Sequence, residues 1–148
     1  MGAGKRVGSR KIVSLDLFHA EREIAHYNFQ MIIAVVKKGN TFIMKATESQ
    51  FRETLEKATV PVVVDFYADW CGPCRAFGPI FEKAASDLAP EFSLCKVNID
   101  EANALCEEVG VRVVPTVMVF NQSRQIAVHE GSFAGVKELE LFIRNSVK

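Results

Sequence analysis

A chain of 148 residues, 49% hydrophobic and 24% charged, has the length and composition of one globular domain whose core needs no disulfide staples. A formal net charge of +0 speaks against a nucleic-acid or membrane-surface binder, and no apolar run approaches the ~18 residues of a membrane span. Four cysteines with one close pair are too few for a disulfide scaffold, so a reducing compartment is expected, with Cys95 and Cys106 as free thiols.

Residues 1–40 read as an N-terminal extension. Lys5, Arg6, Arg10 and Lys11 come without an acid, in the manner of an organelle transit peptide, but Asp16, Glu21 and Glu23 follow and weigh against it. There is no long apolar segment of the secretory kind. Gly2-Ala3-Gly4-Lys5 lacks the spacing of a phosphate-binding loop, and Arg6 sits where a myristoylation signal wants Ser or Thr. Leu17, Ala20, Ile24, Tyr27 and Met31 recur at helical spacing. Met31 to Val36 and Thr41 to Met44 are apolar runs about a turn at Lys37 to Asn40. A hairpin is one reading; a leader ending in a single strand is the other, favoured by the Gly- and Lys/Arg-rich start. His19 and His26 have no cysteine partner nearby, so no metal site is expected there. The expected location is cytoplasmic, or mitochondrial or another organelle if the extension is a transit peptide.

Residues 41–148 carry the globular pattern. Thr47 and Gln50 have the form of a capping box, with Phe51, Leu55 and Ala58 on one helical face. Val62 to Tyr67 is an apolar strand interrupted by Asp65, the composition of a strand covered on both faces. Trp70-Cys71-Gly72-Pro73-Cys74 follows, and a helical stripe of Cys74, Phe77, Phe81, Ala84 and Leu88 begins there. Pro79 lies inside this helix and removes the bond to the Arg75 carbonyl, which predicts a kink. Phe92 to Ile99 is the next strand. Asp100 is placed to cap a short helix through Leu105 and Val109, closed by Gly110. Val117 to Phe120, a turn at Asn121 to Arg124, and alternating Ile126 and Val128 form a hairpin. Val136, Leu139, Ile143 and Val147 stripe the last helix. Alternating strands and helices followed by a hairpin predict an α/β fold, a mixed sheet with helices on both faces.

Two thiols three positions apart, at a strand-to-helix junction, read as a redox pair. A zinc half-site would want two more ligands at short spacing, which Cys95 and Cys106 do not supply. Cys71 precedes the first turn and is expected to be exposed, a nucleophile whose thiolate the helix N-terminus stabilises. Cys74 falls on the inward stripe and is expected to be the resolving thiol. A buried resolving thiol needs a base, and Asp65 is the acid within the apolar strand, where burial would raise its pKa. Cys95 and Cys106 are expected to be inert small hydrophobes.

The run Val64-Asp65-Phe66, the Trp-Cys-Gly-Pro-Cys at 70–74 and Pro79 come first. Lys96 with Asn98, Ile99 and Asp100, then Val114-Pro115-Thr116 and Gly131, complete a set that resembles the thioredoxin family from about Thr41 to Lys148. The resemblance implies the thioredoxin fold and a thiol-disulfide oxidoreductase. It would reduce disulfides in client proteins through Cys71 and Cys74, act as a monomer without cofactor or metal, and be recharged by an NADPH-dependent thioredoxin reductase. It implies a base role for Asp65 with Lys96 beside it, and a cis Val114–Pro115 bond. Trp70, Gly72, Pro73, Val114, Pro115 and Gly131 would form the client-docking surface. Three positions depart from the family's pattern. Tyr67 stands where many members carry a second Trp, Ser123 where the hairpin usually has Gly, and Val113 where small or polar residues are common. They bear on partner choice more than on chemistry. Two rival readings remain, a disulfide isomerase or oxidant, and a binding module that uses the fold as a scaffold.

Overall fold

The structure is a computed structural model that describes residues 43–148. The expected N-terminal helix, the 31–36 run, most of the hairpin, the extension's boundary and His19 with His26 lie outside the described residues.

The elements follow the predicted order: β1 (Met44–Lys45), α1 (Glu48–Lys57), β2 (Val62–Tyr67), α2 (Gly72–Leu88), β3 (Ser93–Asn98), α3 (Asn103–Val109), β4 (Thr116–Asn121), β5 (Arg124–Glu130) and α4 (Val136–Ser146). The sheet order is β1-β3-β2-β4-β5, with β1, β3 and β2 parallel and β4 antiparallel to both β2 and β5. The parallel pairs need the helices as crossovers, which is why helices cover both faces.

The central strand shows how the sequence makes this choice. All six residues of β2 are buried, as its unbroken apolar run predicts. Val64 and Phe66 face one layer, with Phe51 of α1 and Leu105 and Cys106 of α3. Val63 faces the other, with Phe77, Phe81 and Leu88 of α2 and Leu139 and Ile143 of α4. Phe51 meets Phe66 and Phe120 edge-on, at centroid distances of 6.3 and 5.4 Å, the arrangement that ring quadrupoles favour. Each such aromatic contributes roughly 1.5–3 kcal/mol by leaving water.

Local signals act at the ends of elements. Thr47 caps α1, with the reciprocal Gln50 bond of a capping box. Gly110 closes α3 at φ 80°, a left-handed conformation that glycine adopts without a Cβ penalty. α2 runs on through Pro79 to Leu88. Asp100 does not cap α3, contrary to the sequence expectation. The residue at that cap is Ala102, without a side-chain bond, because the Asp100 carboxylate is taken by Trp70. The β4–β5 turn places Gln122 and Ser123 at φ 50° and 61°. Two left-handed residues match the twist of a tight hairpin, although neither is glycine. Ser123 compensates by donating its hydroxyl to the Leu55 carbonyl at 3.1 Å.

Among the described residues no helix is long and apolar enough to cross a membrane, and no group of three or more His, Cys, Asp or Glu could hold a metal ion.

Candidate active site

β2 ends at Tyr67 and α2 starts at Gly72, so the turn between them brings Cys71 to the helix N-terminus. Cys71 is the N-cap: its backbone is extended, and its Sγ accepts the Cys74 N–H at 3.2 Å. Pro73 suits the first turn, where its missing N–H costs nothing. The two sulfurs are bonded to each other, with Cα atoms 5.3 Å apart.

The expected contrast in exposure between the two cysteines is not found. Cys71 is 5% exposed and Cys74 3%. The reason is the loop ahead of β4, which no local pattern ties to the cysteines. Val114 and Ile99 pack with Tyr67 and Ala68 around the pair, and the Val114 carbonyl oxygen lies 3.7 Å from Cys71 Sγ. The cysteines differ in their neighbours instead. Cys71 lies against the Val114 loop, while Cys74 sits on the helix face that buries Phe77 and Phe81.

The Val114–Pro115 bond is cis, as the resemblance implies. Trp70, Gly72 and Pro73 are exposed around the disulfide, while Val114 and Gly131 are half-buried. Pro115 itself is buried, unlike the other five. Gly131, at φ 96°, donates its N–H to the Pro115 carbonyl at 2.8 Å and ties the two loops together.

Trp70 is 66% exposed, so it is no core aromatic. Its indole Nε1 donates to Asp100 Oδ2 at 3.0 Å. Asn98 Oδ1 accepts the Asp100 N–H at 3.0 Å, and Asn98 Nδ2 donates to Asp69 Oδ2 at 3.2 Å. This chain links the exposed ring to the end of β3. It escapes sequence reading because Trp70 and Asp100 are thirty positions apart. Beside it opens a cleft of about 580 Å³ lined by Trp70, Ile99, Asp100, Cys106, Val113 and Val114.

Asp65 is fully buried on the α2 side of β2, and neither carboxylate oxygen has a hydrogen-bond partner among the described residues. Lys96, its register partner on β3, holds Nζ 3.5 Å from Oδ2. Burial pushes the Asp65 carboxyl up to about 6, and Lys96 opposes that rise without cancelling it. Burial, with Asp65 adding to it, pushes the Cys95 thiol up to about 12; burial and Glu48 raise Cys106. Both thiols are buried and protonated at neutral pH, so neither competes as a nucleophile.

A Cys-x-x-Cys disulfide at the head of a helix, next to a cis-proline loop and following a strand with a buried carboxylate, defines a thiol-disulfide oxidoreductase. The family model Thioredoxin matches residues 42–145, and the chain belongs to the thioredoxin family. It is 36% identical over 92 residues to the thioredoxin of Pseudomonas aeruginosa, covering 62% of this chain and 85% of that one. It is 42% identical over 79 residues to the thioredoxin of Rickettsia bellii, covering 53% and 75%. The solved structure of Malassezia sympodialis thioredoxin superposes with a TM-score of 0.63 at 30% identity, covering 72% of this chain and 92% of that one.

Proposed function

We propose that Cys71 is the attacking thiolate and Cys74 the resolving thiol in the reduction of client-protein disulfides, with Asp65 as the base for Cys74. The observation that carries this reading is the Cys71 Sγ at the N-cap of α2, accepting a backbone N–H and bonded to Cys74. The same N–H and the helix dipole would stabilise a Cys71 thiolate.

In the reduced protein the Cys71 thiolate attacks one sulfur of the client disulfide. That S–S bond breaks, and the first client sulfur leaves as a thiolate. Asp65 takes the Cys74 proton, and Cys74 then attacks Cys71 Sγ. The mixed disulfide breaks, the second client sulfur leaves, and the Cys71–Cys74 bond of this structure forms. Two electrons have passed to the client. A carboxyl poised at about 6 is mostly ionised at neutral pH yet titrates close to it, which suits it to accept a proton and return it. Lys96 keeps Asp65 from staying protonated.

Trp70, Gly72, Pro73, Val114 and Gly131 form the rim on which an extended client segment rests, with Pro115 beneath setting the Val114 backbone. The protein acts as a monomer with no bound cofactor, and a thioredoxin reductase drawing on NADPH restores the dithiol. It works in the cytoplasm, where its two buried free thiols would stay reduced.

Insulin reduction coupled to NADPH oxidation tests this reading. Turnover is expected when the protein, a thioredoxin reductase and NADPH are combined. Activity with dithiothreitol but not with reductase would remove the reductase; activity with neither would remove client reduction. Sequencing the N-terminus of the cellular protein tests the location, since a start near Thr41 would mean that a leader had been removed.

A further inference from the structure

Lys96 carries the only charge paired with Asp65 among the described residues, yet the pair lacks hydrogen-bond geometry at 3.5 Å. A lysine is a point charge on a flexible stem, and such side chains ordinarily reach for water. Something else must keep this one, 13% exposed, at the Asp65 carboxylate. Tyr67 supplies it. Residues 65 and 67 share a face of β2 because side chains alternate along a strand. The Tyr67 ring lies under Lys96 Nζ at 4.7 Å from its centroid, and Lys45 Nζ sits 5.6 Å from the same ring. Tyr67 is itself 7% exposed and packs with Ala68, Cys71 and Cys74, so it cannot swing away.

We infer that Tyr67 is a positioning residue: its ring face holds the Lys96 ammonium against Asp65, and through it governs the proton exchange between Asp65 and Cys74. The proton-exchange half rests on the base role proposed above; the positioning half does not. The site is one row of the sheet. Lys45, Lys96 and Asp65 are register partners across β1, β3 and β2, continued by Val117 on β4 and His129 on β5. α2 brings Cys74 against Tyr67, Phe77 against Val63 and Gly78 next to Lys96 on this face, and Cys95 lies on the opposite face of β3 with Val64 and Phe66. Lys96 is therefore the cation whose distance to Asp65 the ring can change. Attraction between an ammonium and a ring face is electrostatic and grows where water is excluded, as here.

The test is the titration midpoint of the Asp65 carboxyl, followed by carbon NMR in the oxidised protein, where Cys71 and Cys74 do not titrate. Tyr67→Leu removes the ring, Lys96 moves toward water, and less cation at Asp65 raises its midpoint. The expected rise is about 0.5–1 pH unit. Tyr67→Phe and Tyr67→Trp keep a ring face and should titrate like the parent. In a Lys96→Met background, Tyr67→Leu should add no further shift. If Tyr67→Leu does not fold, Tyr67→Met serves in its place. A ringless variant that folds but titrates like the parent overturns the inference, as does a shift that persists without Lys96. A variant that loses only thermal stability, with the midpoint unmoved, also overturns it and leaves Tyr67 a packing residue. The pH profile of insulin reduction separates this result from the base role. If Asp65→Asn leaves that profile unchanged, the base role fails while the midpoint still decides the positioning.

Discussion

Cys71 Sγ lies 3.7 Å from the carbonyl oxygen of Val114, although forty-three positions separate the two residues. That contact places Cys71, the proposed nucleophile, against the backbone of the loop that carries the cis Val114–Pro115 bond, where an extended client strand would rest in the proposed reaction.

The division of labour proposed for the two sulfurs gives the first prediction. Cys71→Ser should abolish insulin reduction, because a hydroxyl at that position is not ionised at neutral pH. Cys74→Ser should still attack clients but cannot release them, so covalent adducts should accumulate on non-reducing gels. Equal adduct yields from both variants would show that the nucleophile has been misassigned.

Asp65 links stability to pH in a calculable direction. Its folded-state pKa is raised, from 3.8 to about 6, so between those values the folded protein holds a proton that the unfolded chain has released. Stability from this group is greatest in acid, falls as pH rises from about 4 to about 6, and stays low above. About two pH units, at about 1.4 kcal/mol each, cap the cost at about 3 kcal/mol. Asp65→Asn should therefore stabilise the protein by up to that amount at pH 8, measured by urea unfolding, and by little at pH 4. The same substitution should slow insulin reduction. A variant less stable than the parent at pH 8 would show that the carboxylate is compensated in a way this geometry does not contain.

Trp70 offers a direct optical readout, since it is the chain's one tryptophan. Its ring is 66% exposed and, among the described residues, held by one side-chain bond, from Nε1 to Asp100. Asp100→Ala removes the acceptor and should free the indole, lowering fluorescence anisotropy without unfolding the domain. A bond to a charged but exposed partner is worth about 1 kcal/mol, so KM for insulin should rise about fivefold with kcat little changed. Unchanged anisotropy would mean that packing, not Asp100, fixes the ring.

How far the sequence discloses this site depends on the range of the contacts. The order of elements, the Thr47–Gln50 cap and the two-faced burial of β2 follow from short-range periodicity, and all are found as expected. The disulfide was legible because its partners are three apart. The burial of Cys71, the Trp70–Asp100 bond and the Tyr67–Lys96 contact arise from segments that meet only in the folded sheet. Local chemistry could even mislead: Asp100 has an N-cap's residue type ahead of α3, but its carboxylate binds an indole instead. The cis bond at Ala89–Pro90 had no local signal at all.

The β4–β5 hairpin gives the last prediction. Gln122 and Ser123 both sit at left-handed φ, where a non-glycine residue costs roughly 1–2 kcal/mol. Asparagine tolerates this region better than glutamine, because its short side chain bonds locally to the backbone. Gln122→Asn should therefore raise stability by about 0.5–1 kcal/mol, read as a higher urea midpoint with an unchanged slope. Ser123→Gly relieves the backbone in the same way but gives up the hydroxyl bond to Leu55, and glycine adds freedom to the unfolded chain. Its gain should be smaller, or nil. The hairpin lies at the far end of β4 from Thr116 and the cis-proline loop, so neither change should alter insulin reduction. A lower midpoint for Gln122→Asn would show that the turn is held by more than its backbone angles.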